Sequence, residues 1–258
     1  MAYETILFEA SKDGVATITL NRPQAMNSFN QKMLDEFDDV WVRIRDDDDI
    51  RSVVLRACEG RAFCTGVDVK QRLQHADNIW NRPDPGEGLG PKAHAVWKPV
   101  IAAVHGMAAG GAFYWLNEAD IVICSTDAQF FDPHVTYGMT STLEPIGATY
   151  KMPLHEVLRM ALMGNDERIS AETALRISLV TEVVDRDRLH DRAHEIAARI
   201  AEKPAIAIQG TVRAIWESLD LHRKAALERG MLYPLLGNTE GQKQVDRATT
   251  KTPDWKLR

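Results

Sequence analysis

The stretch that decides the fold is PVIAAVHGMAAGGAFYWL, residues 99–116. Its first part, Val100 to Val104, is short, apolar and rich in β-branched residues, which predicts a buried strand. Glycines follow at 106, 110 and 111, and they predict a turn that leads into a helix. The uncharged run is barely long enough to cross a bilayer, and the glycines interrupt it. We therefore predict a strand, a glycine-rich turn and a helix rather than a membrane span.

The composition is that of an ordinary folded protein. Hydrophobic residues make up 45% of the 258 residues and charged residues 26%, which is enough to bury the core of one large domain. The 31 basic and 37 acidic side chains give a net charge of -6, which argues against nucleic acid as a partner. The 3 cysteines lack CxxC spacing, and the first residues lack the pattern of a signal peptide. We therefore expect a cytoplasmic protein with neither a disulfide framework nor a membrane partner.

Hydrophobic periodicity predicts an alternation of strands and helices in the first two thirds of the chain. Apolar residues at three- and four-residue spacing predict a helix from Ser28 to Arg45, with Ser28 as its N-cap. Runs of β-branched and apolar residues between turn residues predict strands. These strands lie at residues 15–20, 52–57, 100–104, 121–124 and 129–131.

Two further changes of pattern divide the chain. Proline and glycine crowd together within residues 71–98, which predicts a mobile loop that serves as a lid or a pocket wall. After Val184 the apolar spacing is helical, with a stop at Pro204. We therefore predict an α/β core over residues 1–185 and a helical C-terminal region over residues 186–258.

Two segments place glycines between a strand and a helix, at residues 55–70 and 104–113. Neither matches the dinucleotide fingerprint GxGxxG or the phosphate loop GxxxxGK[ST]. Glycines at such turns let backbone N–H groups approach a ligand oxygen closely. Two converging turns of this kind would form an oxyanion hole, which stabilises negative charge on a thioester or carboxyl oxygen. Each turn taken alone is also compatible with a purely structural role.

Several segments, in this order along the chain, resemble the signature segments of the crotonase (enoyl-CoA hydratase/isomerase) superfamily. The resemblance covers nearly the whole chain and implies a spiral of β-β-α units with a helical C-terminal trimerisation region. It also implies an acyl-coenzyme A substrate, a homotrimer or hexamer, and no metal or redox cofactor. The segments are NRPQAMN at 21–27, RAFCTGVD at 61–68, PVIAAVHGMAAGG at 99–111, AQFFDP at 128–133, and, near the end, NTEG at 238–241 and KTPDW at 251–255.

The resemblance also assigns roles by motif position. The backbone N–H groups of Val67 and Gly111 would be the oxyanion donors, and residues 71–98 would line the acyl pocket. The remaining residues carried over would flank the coenzyme A moiety, and these are Ala25, Ala62, Thr65, Asp68, Val69 and Lys70.

The sequence departs from the family pattern where the chemistry lies. Hydratases of this family use two glutamates, and Tyr114 and His134 occupy those positions here. One interpretation makes the two residues a substituted acid/base pair, and another makes them pocket wall. A third takes Glu144 as the carboxylate, although an exposed loop position before a proline is favoured for it. Asp132 either orients the His134 imidazole or caps a turn.

Other reactive side chains receive plainer predictions. Cys64 is expected to be a small core residue, because nothing basic is placed to form a thiolate. His105 is expected to be a satisfied interior histidine. His75 and His94 lie in the predicted loop and face either the acyl group or water.

The sequence thus predicts an enoyl-CoA hydratase-like lyase that acts on an acyl-CoA thioester through an enolate held by an oxyanion hole. Because both glutamates are replaced, other chemistry of the same family stays open, namely isomerisation, decarboxylation or thioester hydrolysis. A non-catalytic acyl-CoA-binding protein is the alternative from another class. Coenzyme A enters as part of the substrate, so no separate cofactor is expected.

Overall fold

A computed structural model describes residues 3–71, 73, 78–81, 84–246, 248 and 257. The predictions for His75 and for the segment at 251–255 lie outside these residues. Within the described part, the strands are β1 (Ile6–Ala10), β2 (Val15–Leu20), β3 (Ser52–Ala57), β4 (Ala62–Cys64), β5 (Val100–Val104), β6 (Met107–Ala109), β7 (Ile121–Ser125), β8 (Gln129–Phe131), β9 (Ile169–Ser170) and β10 (Glu182–Val184). The α-helices are α1 (Gln31–Asp46), α2 (Phe113–Glu118), α3 (Leu143–Ala148), α4 (Leu154–Met163), α5 (Ala171–Arg176), α6 (Leu189–Ala201), α7 (Ala205–Ser218), α8 (Arg223–Gly230) and α9 (Leu232–Lys243).

The described strands form two sheets, and from β3 to β8 successive strands alternate between them. The first sheet has the order β1-β2-β3-β5-β7-β10 and the second the order β4-β6-β8-β9. Each of β3, β5 and β7 lies in the first sheet, and the short strand that follows each of them lies in the second. Neighbours pair in parallel except β1 with β2 and β8 with β9. This alternation is the spiral of strand-strand-helix units that the resemblance implies.

The alternation of side chains along the first sheet separates two parts of the core. Val53 and Leu55 belong to the larger hydrophobic cluster, which includes the buried face of α1. Val54, between them, belongs to a smaller cluster on the opposite face. Helix α6 covers that second face through a stripe of fully buried residues, which are Leu189, Ala193, Ala197 and Ala201. A period of two on the strands and of three to four on the helix produces this layering.

The predicted strands are present with the expected bounds, except that β7 extends one residue further to Ser125, and the start of α1 differs. Asn30 rather than Ser28 is the N-cap, and its side chain accepts a hydrogen bond from the Met33 N–H at 3.0 Å. The prediction of Ser28 was wrong because the residue after it, Phe29, forms a parallel bridge with Val67. Residues 28 and 29 therefore belong to an extended segment that precedes the helix.

Residues 84–98, the described C-terminal part of the predicted mobile loop, pack onto the body. A short 3-10 turn at Glu87–Leu89 contacts α1, and the indole N–H of Trp41 donates to the carbonyl of Leu89 at 2.8 Å. The Lys98 ammonium is buried and donates to the carbonyls of Ile44 and Asp47, each at 2.6 Å. This part of the loop is therefore a fixed wall.

The C-terminal helices fall into two groups. Helix α6 belongs to the packing of the first sheet, whereas α7, α8 and α9 contact chiefly one another. The division of the chain at residue 185 stays a prediction. No helix in the described part of the chain is both long and apolar enough for a membrane span.

Candidate active site

The two glycine-rich turns converge. Gly66 has a φ of +89°, and a Cβ built on it would lie 3.2 Å from the Gly111 nitrogen. A Cβ on Gly111 would lie 2.5 Å from the Phe29 ring. Phe29 also fixes the first turn, because its N–H donates to the Gly66 carbonyl and its carbonyl accepts from the Asp68 N–H. Both turns thus require glycine for close approach of the backbone.

The two predicted oxyanion donors lie on these turns. Gly111 is the second residue of a 3-10 turn at Gly110–Ala112, so its N–H precedes the first hydrogen bond of that turn. Among the described residues, neither the Val67 N–H nor the Gly111 N–H has a hydrogen-bond acceptor. Both residues line one cavity. Their assignment as donors to a ligand oxygen stays a prediction, with which the free N–H groups and the shared cavity are compatible.

A buried ion pair holds the first turn in place. Nη2 of Arg22 lies 2.9 Å from Oδ2 of Asp68, and both side chains are 9% exposed. The other terminal nitrogen of Arg22 donates to the Ser28 carbonyl. Burial acts to raise the pKa of Asp68, but the hydrogen bonds from Arg22 and from the Lys70 N–H outweigh it and lower that pKa. Arg22 is not among the predicted site residues, and its signal in the sequence is a basic residue inside the first signature segment.

The cavity beside the two donors has a volume of about 640 Å³. It brings together several predicted site residues from distant segments, namely Val67, Asp68, Val69, Gly111, Tyr114, His134 and Glu144. Phe29, Leu73, Pro85 and Leu143 contribute apolar surface to it. The other predicted contacts of coenzyme A (Ala25, Ala62, Thr65 and Lys70) are not among the described residues that line it. Their role stays a prediction.

His134 is oriented by a buried carboxylate. Its Nδ1 lies 2.5 Å from Oδ1 of Asp132, which is fully buried and also accepts from the His134 N–H and the Ser141 hydroxyl. The hydrogen bond to Asp132 raises the pKa of His134 above 6.5 despite burial, which acts in the opposite direction. Burial acts to raise the pKa of Asp132, but the bonds from His134 and Ser141 outweigh it and lower that pKa. Asp132 therefore meets both interpretations, because the same oxygen contacts the imidazole and caps the turn through the His134 N–H.

Glu144 is a buried cavity residue, so the favoured prediction of an exposed loop position was wrong. It lies in the first turn of α3 with an exposed fraction of 6%. Its Oε1 is 3.7 Å from Nε2 of His134. Burial raises the pKa of Glu144 above its ordinary value. The proline that follows Glu144 suggested a loop, but proline is accepted in the first turn of a helix, and the helix turns the carboxylate inward.

The hydroxyl of Tyr114 is hydrogen-bonded to Asp84 and not to Val67 or Gly111. Its hydroxyl donates to Oδ1 of Asp84 at 2.7 Å, and its ring packs edge-on against Phe29. Burial and the Asp84 bond raise the pKa of Tyr114, so the phenol is neutral throughout the physiological range. Asp84 is likewise not among the predicted site residues. Its signal was its place between two prolines, which restrict the backbone around it.

The remaining candidates lie elsewhere. Cys64 is fully buried, and burial raises the pKa of its thiol to about 12, as befits a core residue. His94 contacts the Gly88 carbonyl at 2.9 Å, outside the residues that line the acyl cavity. His105 is buried, but its Nε2 finds no hydrogen-bond partner within the described part of the chain. The prediction of a satisfied histidine was therefore wrong for that nitrogen.

Comparison with known proteins identifies the family. The family model described as enoyl-CoA hydratase/isomerase matches residues 10–258. The chain belongs to the enoyl-CoA hydratase/isomerase family. It is 34% identical to an (E)-benzylidenesuccinyl-CoA hydratase of Thauera aromatica over 91% of each chain. It is 34% identical to a short-chain-enoyl-CoA hydratase of Clostridium acetobutylicum over 79% of this chain and 78% of that one.

The solved structures of the family confirm the predicted fold. The chain is similar to an enoyl-CoA hydratase/isomerase of Mycobacterium paratuberculosis, with a TM-score of 0.86 and 33% identity over 99% of this chain and 100% of that one. The resemblance to the crotonase superfamily and the α/β spiral are therefore correct. The chain is an enzyme of the enoyl-CoA hydratase type.

Proposed function

We propose that the protein catalyses the reversible hydration of a 2-enoyl-CoA thioester, with the thioester oxygen held by the N–H groups of Val67 and Gly111. One observation carries this proposal. The imidazole of His134 lies between two carboxylates, Asp132 on Nδ1 at 2.5 Å and Glu144 toward Nε2 at 3.7 Å. Hydration needs one group that accepts a proton from water and one that delivers a proton to Cα. His134 and Glu144 can fill these two roles.

The protonation states favour a particular division of roles. The raised pKa of His134 keeps the imidazolium form to a higher pH than in a free histidine, and Glu144 is ionised above its own raised pKa. In the hydration direction Glu144 accepts a proton from water as the water oxygen bonds to Cβ. The electron pair of the double bond moves toward the thioester oxygen, where the two backbone donors stabilise the enolate. His134 then gives the Nε2 proton to Cα, and the reverse reaction uses the opposite protonation states.

Tyr114 has no proton-transfer role in this proposal. Its hydroxyl proton is directed to Asp84, and its high pKa disfavours the phenolate. Of the two interpretations of Tyr114, we therefore favour pocket wall. The cavity would then have its proton carriers on one side only, on the elements that hold His134 and Glu144.

This one-sided placement favours a second candidate, double-bond isomerisation. An isomerase removes a proton from one carbon of the acyl chain and returns it to another, which a single group or a close pair can do. Loss of a Cα proton from a 3-enoyl thioester gives a dienolate, whose oxygen the same two backbone donors would stabilise. In hydration water bonds to Cβ and a proton is added to Cα, whereas in isomerisation a proton leaves Cα and one is returned to Cγ.

The binding of coenzyme A and the surroundings of the protein are further parts of the proposal. We propose that Ala25, Ala62, Thr65, Asp68, Val69 and Lys70 flank the coenzyme A moiety. Val69 is 84% exposed although it also lines the cavity, which suits a position at the mouth. The proposed steps use only side chains and backbone donors, so no cofactor beyond the substrate's coenzyme A is required. The composition and the cysteine pattern support a cytoplasmic location.

Turnover in heavy water tests the proposal. Crotonyl-CoA should gain water and one deuterium at Cα, which mass spectrometry detects, and His134→Gln and Glu144→Gln should each slow this by about 10²-fold or more. Conversion of a 3-enoyl to a 2-enoyl thioester without added water would establish the isomerase instead. Release of free coenzyme A, or carbon dioxide from a malonyl-type thioester, would point to hydrolysis or decarboxylation. Tight binding without any turnover would identify a non-catalytic acyl-CoA-binding protein.

A further inference from the structure

The ring of Tyr114 lies in the acyl cavity, next to a second cavity. It lines the acyl cavity, and its hydroxyl is bonded to Asp84, which lines a neighbouring cavity of about 390 Å³. Leu73 and Pro85 line both cavities, so the two adjoin. The second cavity is lined in addition by residues of α1 and of the 84–98 wall, among them Gln31, Leu34, Asp38, Gly88 and His94.

The position of the Tyr114 ring is fixed on three sides. Phe29 packs edge-on against it, with ring centroids 6.3 Å apart. Gly86 lies flat against the ring, because a Cβ built on Gly86 would come within 2.2 Å of Cε2 of Tyr114. Asp84 holds the hydroxyl and is itself held, since its Oδ1 also accepts from the Gly86 N–H at 2.9 Å.

The segment that supplies Asp84 and Gly86 is anchored in turn. The Leu89 N–H donates to the Gly86 carbonyl, and Leu89 is fully buried under α1. The indole N–H of Trp41 bonds the carbonyl of Leu89. Displacing Tyr114 would therefore require breaking a chain of contacts that reaches the core.

We propose that Tyr114, held by Asp84 and Gly86, is the residue that limits the length of the acyl group. Tyr114 lies one helical turn beyond the oxyanion donor Gly111, so its ring stands close to the carbons that follow the thioester. A compact acyl group fits on the near side of the ring, whereas a longer straight chain meets the ring before it reaches the second cavity. Asp84 acts here as a positioning residue. This inference rests on the proposed binding of acyl-CoA thioesters.

The test compares the binding of butyryl-CoA and octanoyl-CoA, which calorimetry measures without any turnover. The unaltered protein should gain no affinity from the four extra methylenes of the longer probe. Tyr114→Ala removes the ring that limits the acyl group, and it should raise the affinity ratio of octanoyl-CoA to butyryl-CoA by about tenfold or more, because each buried methylene strengthens binding several-fold. Tyr150→Ala, at an exposed tyrosine outside the cavity, is the matched control and should leave the ratio unchanged.

Asp84 is tested by the same affinity ratio of octanoyl-CoA to butyryl-CoA. A purely structural effect would weaken the binding of both probes alike and leave this ratio unchanged. Asp84→Ala should raise the ratio part of the way. Asp84→Asn keeps an oxygen for the Tyr114 hydroxyl, so its ratio should equal that of the unaltered protein. Asp38→Ala removes a carboxylate from the second cavity only and should leave the ratio as it is. An unaltered protein that binds octanoyl-CoA tenfold more tightly than butyryl-CoA, or an unchanged ratio in Tyr114→Ala, would overturn the inference. Failure of both probes to bind would instead contradict the proposed function.

Discussion

Nδ1 of His134 lies 2.5 Å from Oδ1 of Asp132, a carboxylate with no exposed surface. The carboxylate accepts a hydrogen bond from the Nδ1–H group, and this fixes which ring nitrogen faces the cavity. Nε2 is consequently the atom that exchanges a proton with a ligand. The backbone N–H of His134 bonds the same oxygen, so the side chain and its own main chain are held by one group.

The pair of His134 and Asp132 predicts in which direction the rate of hydration changes with pH. In that direction His134 acts in its protonated form, so the rate should fall as the pH rises through its pKa, which lies above 6.5. Asp132→Asn removes the largest cause of the raised pKa and should move this fall to lower pH. His134→Gln should remove the fall and reduce the rate by about 10²-fold or more. If Asp132→Asn does not shift the pH dependence of the hydration rate, the pairing of Asp132 with His134 is contradicted. Asp38→Asn is the control variant.

The same pair makes a prediction for stability. A histidine whose pKa is raised by folding stabilises the native state fully below its unfolded value, near 6.5, and loses this contribution as the pH rises through the folded value. The unfolding free energy lost in His134→Gln should therefore be larger at pH 5.5 than at pH 9 (about one unit below and well above that value). Denaturant titrations at the two pH values measure the difference. An equal loss at both would show that the pKa of His134 does not change on folding.

Glu144 should be needed for turnover but not for binding. Glu144→Gln keeps the size of the side chain and removes its ability to accept a proton, so we expect a rate loss of about 10²–10⁴-fold. The affinity for butyryl-CoA should change little, because the backbone donors are untouched. Glu172→Gln, at an exposed glutamate on α5, is the control. A variant at Glu144 with near-normal turnover would transfer the proton-accepting role to another group.

The strands and turns were predictable from the sequence because their signals are local, whereas the spiral was implied by the family resemblance. The strand of residues 100–104 and the glycines that follow it carry their own periodicity and turn chemistry. The hydrogen-bond partners of the site residues were not predictable, because they come from segments that are far apart in the sequence. Asp84 meets Tyr114 across 30 positions of the chain, and Arg22 meets Asp68 across 46. Glu144 was misjudged for the same reason, since its burial comes from tertiary packing of a short helix.

The contact between Gly86 and Tyr114 can be tested by a double-mutant cycle. Gly86→Ala should reduce the unfolding free energy by about 1–3 kcal/mol, because the new Cβ overlaps the tyrosine ring. The φ of Gly86 is -109°, which alanine adopts without strain, so the ring is the obstacle. In a Tyr114→Ala background the same substitution should cost almost nothing. An equal cost in both backgrounds would show that Gly86 is constrained by something other than Tyr114.

Removing one partner of the Arg22–Asp68 pair should destabilise the protein strongly. Arg22→Met leaves a buried carboxylate without its partner, so we expect a loss of about 3–5 kcal/mol in unfolding free energy. The double variant with Asp68→Asn should recover part of that loss. Arg159→Met breaks an exposed pair with Glu167 and should leave the unfolding free energy nearly unchanged. Similar losses for the two arginines would contradict the role of the buried pair in holding the Val67 turn.

The C-terminal helices predict self-association. Helices α7 and α8 contain no fully buried residue, and the leucines at 235 and 236 on α9 are 73% and 75% exposed. Monomers seldom expose apolar surface on this scale, and closed symmetric assemblies bury it. Light scattering should therefore give a mass three or six times 28.9 kDa. Leu235→Glu with Leu236→Glu should shift the protein toward the single-chain mass, whereas Lys224→Glu, at an exposed position on α8, should not. A mass of 28.9 kDa for the unaltered protein at micromolar concentration would refute the trimer and the hexamer alike, and the exposed leucines would then need a different partner.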